Sequence, residues 1–286
     1  MIHSHHGFPR QIFRHSKATA KQLAPVAATG GLRAASDLSL LLCGKPSSTA
    51  GSSEVDVVLK HVSDSIDTIL NELVWLNSQD PARIALFGPF LGRSLQELAA
   101  LALIGRLDPL RVLLIQQVQA QPSYKVNLAW KSSLRWQGDV LAEKVSDLWG
   151  EKVKYDTITK ALLGDYFDHL VWRSALGRVL SHTPTHSGKA WLTQLRREPR
   201  EAFVDNRRKE LSNQYSSLSK GIHHEFVMPP GAQYDKSTVS TLIGGTVHTV
   251  ATLGLVSHFV SHSIRLIPAT DAFQLFDNVE DLEVLP

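Results

Sequence analysis

One cysteine in 286 residues, Cys43, excludes an intrachain disulfide and any cysteine-rich zinc site, and it fits a reducing compartment. Cys43 ends the run Leu38-Ser39-Leu40-Leu41-Leu42, which points to a buried structural thiol ahead of a nucleophile. Acidic residues are missing from the opening of the chain. None precedes Asp37, whereas Arg10, Arg14, Lys17, Lys21 and Arg33 all lie there. Acid-poor, Ser/Ala-containing starts resemble organellar transit peptides, yet Pro9, Pro25 and Gly30-Gly31 interrupt any long amphipathic repeat. Residues 1–36 are read as a mobile basic arm, with an organellar presequence as the lesser alternative. No apolar core of about 7–15 residues marks a secretory signal near the start, and a cytoplasmic location is expected.

Familiar enzyme signatures are absent too. The chain has no G-x-x-x-x-G-K-[ST] phosphate loop, no G-x-G-x-x-G, no H-E-x-x-H and no G-x-S-x-G. These absences weigh against the large nucleotide, dinucleotide, zinc-protease and hydrolase classes, and no cofactor is indicated. A net charge of +3 and a pI near 8.9 are too slight to indicate a nucleic-acid face on electrostatics alone. Lys and Arg are missing from 271–286, where Asp271, Asp277, Glu280, Asp281 and Glu283 form an acidic C-terminal tail.

What is present is helical periodicity. Residues 44–53 read as a linker, and Ser53 with Asp56 three positions on predicts a capped helix start. Val55, Leu59, Val62, Ile66, Leu70, Leu73 and Leu76 then recur at the spacing of one helical face. Asp80-Pro81 opens another helix, which Gly88-Pro89 is expected to interrupt, and a further one runs over 92–104. Asp108-Pro109 starts the next, closed by Gln121-Pro122. Residues 123–137 alternate like a strand through Val126, Leu128, Trp130, Leu134 and Trp136, without an evident partner strand. Helices are expected over 156–180, around Trp191, from Pro199 to Met228 and over 237–266. The last is read as a bundle core helix and not as a membrane span, because His248, His258, His262 and Gly244-Gly245 interrupt it. The fold class is therefore all-α, a multi-helix bundle over 37–270 with a minor extended segment near 123–137.

Thirteen histidines make imidazole the one enriched chemical group. His258 and His262 stand at metal-sharing spacing and His248 falls on the same arc, but no local carboxylate or cysteine completes a site. They are read as a polar helix face, with no metal assigned. The run from Arg196 to Glu210 mixes both signs and is read as a solvated face, with Trp172 and Trp191 as core residues.

The stretch Asn213-Gln214-Tyr215-Ser216-Ser217-Leu218-Ser219-Lys220-Gly221-Ile222-His223-His224-Glu225-Phe226 closes an amphipathic helix. It resembles the Tyr-x-x-Leu-Ser-x-x-x-His element of the higher-eukaryote and prokaryote nucleotide-binding (HEPN) superfamily, and the resemblance covers approximately 156–267. The resemblance implies a small helical bundle, commonly a homodimer. It also implies membership of bacterial antiviral defence or toxin–antitoxin systems, often as a metal-independent endoribonuclease acting on RNA. Active members carry Arg-x4-6-His, the Arg for phosphate charge and the His for proton transfer. Here the chain departs from the pattern. The nearest upstream Arg, Arg208, lies about 22 Å away along a helix. Lys220 stands close, without the bidentate fork of Arg. Arg178 or Arg173 from the preceding helix, or an Arg from a dimer partner, would have to complete the site. The one literal Arg-x4-His, Arg10 to His15, falls in the basic arm.

The candidate catalytic residues are thus His223, His224, Lys220 and Arg178. The opposing reading makes His223 and His224 a helix-end pair that bonds the last carbonyls. The function expected is a HEPN-like conflict-system protein; the alternative is a non-catalytic helical subunit binding a partner protein, without a membrane role.

Overall fold

The computed structural model describes residues 29–46, 53–125, 133–154, 156, 158–182, 188–222 and 234–282. They are all-α, with no β-strand among the described residues. In chain order the helices are α1 (Thr29–Cys43), α2 (Glu54–Leu76), α3 (Pro81–Leu107), α4 (Pro109–Gln119), α5 (Asp165–Phe167), α6 (Arg173–His182), α7 (Ala190–Arg197), α8 (Phe203–Lys220), α9 (Lys236–Ser257) and α10 (Ala269–Glu280). A π-type turn, Asp168–Trp172, joins α5 to α6 without a break.

α3 and α9 form the centre. α2 and α8 pack on α3, and α1 and α10 pair on the far side. The cap expected at Ser53 is present: its side chain accepts the Asp56 N–H, and the Asp56 carboxylate accepts the Ser53 N–H. The apolar stripe of α2 is fully buried from Val55 to Leu76. α9 is long and apolar enough to cross a membrane, and most of that window is buried against neighbouring helices.

Four expectations are corrected. Gly88-Pro89 does not interrupt α3, which continues for 27 residues. Pro89 removes one N–H, but packing holds the helix. A Cβ on Gly88 would meet Val239, and one on Gly92 would meet Ile243 and Leu218, so the two glycines let α9 and α8 approach closely. The helix expected from 156 begins only at Asp165. Before it, Leu162 and Leu163 donate their N–H groups to the carbonyls of Asp139 and Val140. Trp172 and Arg208 claim the carbonyls of Leu162 and Leu163, leaving those groups unavailable for a helix. The extended segment is also revised. Leu134 and Trp136 lead into a kinked turn, Trp136–Val140, while Val126, Leu128 and Trp130 lie outside the described residues.

The fourth correction concerns the C-terminal end. α9 stops at Ser257, and residues 269–280, expected to be mostly acidic tail, form α10 with Phe273 and Phe276 buried. The basic arm over 1–28 lies outside the described residues, and helix α1 already begins at Thr29.

Candidate functional site

Tyr215, near the start of the stretch 213–226, faces α3. Its hydroxyl accepts a hydrogen bond from Arg93 at 2.6 Å and donates to Glu97 at 3.2 Å. The Arg93 guanidinium lies 4.5 Å from the ring centroid, and Trp136 stacks on the ring at 4.4 Å and 10°. Burial, with Glu97 adding to it, pushes the Tyr215 pKa upward, so the phenol stays protonated. Trp136, Gln137, Ser212, Ser216, Ser219 and Lys220 complete the wall of a pocket of about 560 Å³. Lys220 is exposed at its rim.

Of the candidate catalytic residues, Lys220 borders this pocket and Arg178 does not. His223 and His224 lie outside the described residues. Arg178 donates through Nε to the Phe259 carbonyl at 2.6 Å, just beyond the C-terminus of α9. Lys220 ends α8 at the opposite end of α9, where the Tyr234 hydroxyl donates to the Ser217 carbonyl at 2.7 Å. α9 has 22 residues and is about 33 Å long, so Arg178 and Lys220 do not meet within one chain. Arg173 is held by Asp168 at 2.8 Å. Arg208 is held by Asp165 at 2.8 Å and by the Leu163 carbonyl at 2.9 Å.

The run read as a solvated face is partly internal. Arg207 is buried between Glu198 and Glu210, and Glu210 passes the contact to Thr249 of α9. Gln214 bonds Thr249 and Gln96, tying α8 to both central helices. Nor do the histidines form a polar face. His258 is buried just past α9, His262 is exposed in the turns beyond it, and His248 is half-buried against Trp191 at 4.8 Å. Among the described residues no group of three His, Cys, Asp or Glu could hold a metal ion. Cys43 is buried, and burial pushes its thiol up to about 12, so the thiolate needed for nucleophilic chemistry is not formed near neutral pH.

A larger feature, with no counterpart in the sequence reading, lies on the other side of Glu97. A groove of about 1020 Å³ runs between α2, α3 and α4. Val57, Val58, Ile69, Leu98, Leu101 and Ile115 give it an apolar lining, with His61, Ser65, Thr68 and Gln116 among its polar members. At about 100° per residue, Leu86, Phe87 and Phe90 fall on the same face of α3 as Ser94, Leu98 and Leu101. Phe87 is 48% exposed and Phe90 55%, so the apolar strip continues beyond the groove into open solvent. Trp75, near the end of α2 and 50% exposed, lies on the groove-facing arc of that helix. The missed signal was legible in part: Leu86, Phe87 and Phe90 are a cluster of large apolar residues ahead of the small-residue stretch of α3. No protein-family model, no curated protein and no solved structure matches this chain.

Proposed function

We propose that this protein is a non-catalytic helical subunit that binds a partner protein through the α2–α3–α4 face. The observation that carries this reading is the apolar strip from Leu101 to Phe87 along α3, open to solvent at its aromatic end. Exposed aromatics beside a preformed apolar groove are the usual anchors of a protein interface. The arginines proposed for chemistry support it from the other side: Arg178, Arg173 and Arg208 are each bonded to a carbonyl or carboxylate of the same chain. The test is the double variant Phe87→Ser, Phe90→Ser, isolated from the native host beside the unaltered chain. The variant keeps its helical circular dichroism and loses the co-purifying partner; equal retention of the partner by both proteins overturns the reading.

A second reading, the HEPN-like endoribonuclease of a bacterial defence or toxin–antitoxin system, is favoured by one observation. Lys220 borders a pocket with an aromatic stack and three serines at the end of α8. On this reading the purified chain cleaves RNA without added metal, and His223→Ala with His224→Ala lowers the rate by about 100-fold or more. Equal cleavage by the double variant removes those histidines from the mechanism.

A further inference from the structure

The groove has a charge pattern as well as an apolar lining. Glu54 and Glu72 fall on the arc of α2 that faces the groove, one at each end of the helix. They are 18 residues apart, about 27 Å along α2. Neither has a hydrogen bond or ion pair among the described residues. Glu97, between them on α3, lines the groove itself.

Three cations of the described helices around the groove are already committed. Lys60, the one Lys or Arg in α2, points about 120° away from Glu54 and Glu72 and is bonded to Asp64 at 2.8 Å. Arg93 bonds Glu97 and Tyr215. Arg111 of α4 bonds Asp108, Asp139 and the Lys160 carbonyl. Among the described residues, Glu54 and Glu72 are therefore left as unpaired carboxylates beside the groove in a chain whose overall charge is +3.

From this pattern we infer that the groove receives an amphipathic α-helix of the partner protein, apolar on one face and carrying Lys or Arg near both ends. The inference rests on the partner-binding reading above and specifies what the partner presents. The groove is concave, bounded by helices and lined by aliphatic side chains. A helix laid along it would bury anchors at i, i+3, i+4 and i+7 against Val57, Ile69, Leu98 and Leu101. A helix of about 18 residues spans the distance between the two free glutamates and places a cation over each. Phe87, Phe90 and Trp75 would cover its outer end.

The experiment uses the full chain and two fluorescent 18-residue probes with the same leucine face, one with lysines on the remaining positions and one with glutamates. Anisotropy at low ionic strength is expected to show one-to-one, saturable binding of the Leu/Lys peptide and none of the Leu/Glu peptide. The variant Glu54→Lys, Glu72→Lys should weaken Leu/Lys binding by about tenfold, because both altered positions are exposed and act through local charge. Phe87→Ser with Phe90→Ser should weaken it independently. Equal binding of both probes overturns the inference, as does Leu/Lys affinity that the charge reversal leaves unchanged. Sedimentation showing a second copy of the chain on this face also overturns it. If the probes fail while the native partner is still lost from the Phe87/Phe90 variant, the helix is wrong and the docking face stands. If that variant keeps its native partner, the docking face itself is wrong.

Discussion

His258 is neutral because of where its two ring nitrogens sit. Nδ1 faces an Arg106 N–H at 3.0 Å and the Ile267 N–H at 3.3 Å, so it must present a lone pair. Nε2 then carries the proton and donates it to the Leu41 carbonyl at 2.8 Å. Burial, then the Arg106 charge, lowers the His258 pKa to about 3. Arg106 is itself fully buried, with no ion pair to a carboxylate among the described residues; the Ile264 and Leu42 carbonyls and the Ser257 hydroxyl accept its hydrogen bonds. This cluster joins the end of α1, the end of α3 and the chain after α9. His248 reaches the same state by a different route, since burial and then the Arg207 charge lower it to about 4.

The direction of the pH effect follows. Both imidazoles titrate near 6.5 when the chain is unfolded and well below that when it is folded. Below 6.5 the unfolded chain binds protons that the native state refuses, so stability is complete above that pH and falls through the window down to about 4 and about 3. Each histidine should cost about 2 kcal/mol at about pH 5 relative to about pH 7.5. Thermal melts of the unaltered chain should drop over that interval, and His248→Phe should remove about half of the drop. A His248→Phe protein with the full pH dependence would show that this imidazole is not buried as described.

At the scale of the element, α10 and α3 show how one residue type carries opposite meanings. Phe276 of α10 is fully buried among the α1, α7 and α9 contacts, whereas Phe90 of α3 is mostly exposed. Phe276→Ala should destabilise the chain by about 3–5 kcal/mol, the cost of a large cavity. Phe90→Ala should stay within about 0.5 kcal/mol, as for an open surface position. Urea unfolding measures both, and a large loss at Phe90 would mean that its face is covered within the monomer. α2 was legible because cap, apolar spacing and opposite polar face agree along its length. α10 was not, because Asp271, Asp277 and Glu280 are interspersed with Ala272, Phe273, Phe276 and Val279, which share one buried face, in a segment of net negative charge. The start of α5 was illegible for another reason. Leu162 and Leu163 look like helix residues, but distant backbone groups take their hydrogen bonds.

For the whole molecule, the sequence by itself determined the helical class, the capped α2 and the buried thiol. These follow from local rules: spacing of three and four residues, capping side chains, and the cost of exposing an aliphatic run. Tertiary structure alone decided which residues meet. It separated Arg178 from Lys220 by the length of α9, enclosed Arg207 between two glutamates, and placed His258 between the Leu41 carbonyl and the Arg106 guanidinium. It also laid α4 beside α2 and α3 to make the groove. The physical reason is that periodicity specifies a helix's buried face but carries no information about which other helix will cover it. The Leu86, Phe87 and Phe90 cluster can be read in the sequence, but that Phe87 and Phe90 stay exposed is decided only once the other helices have packed.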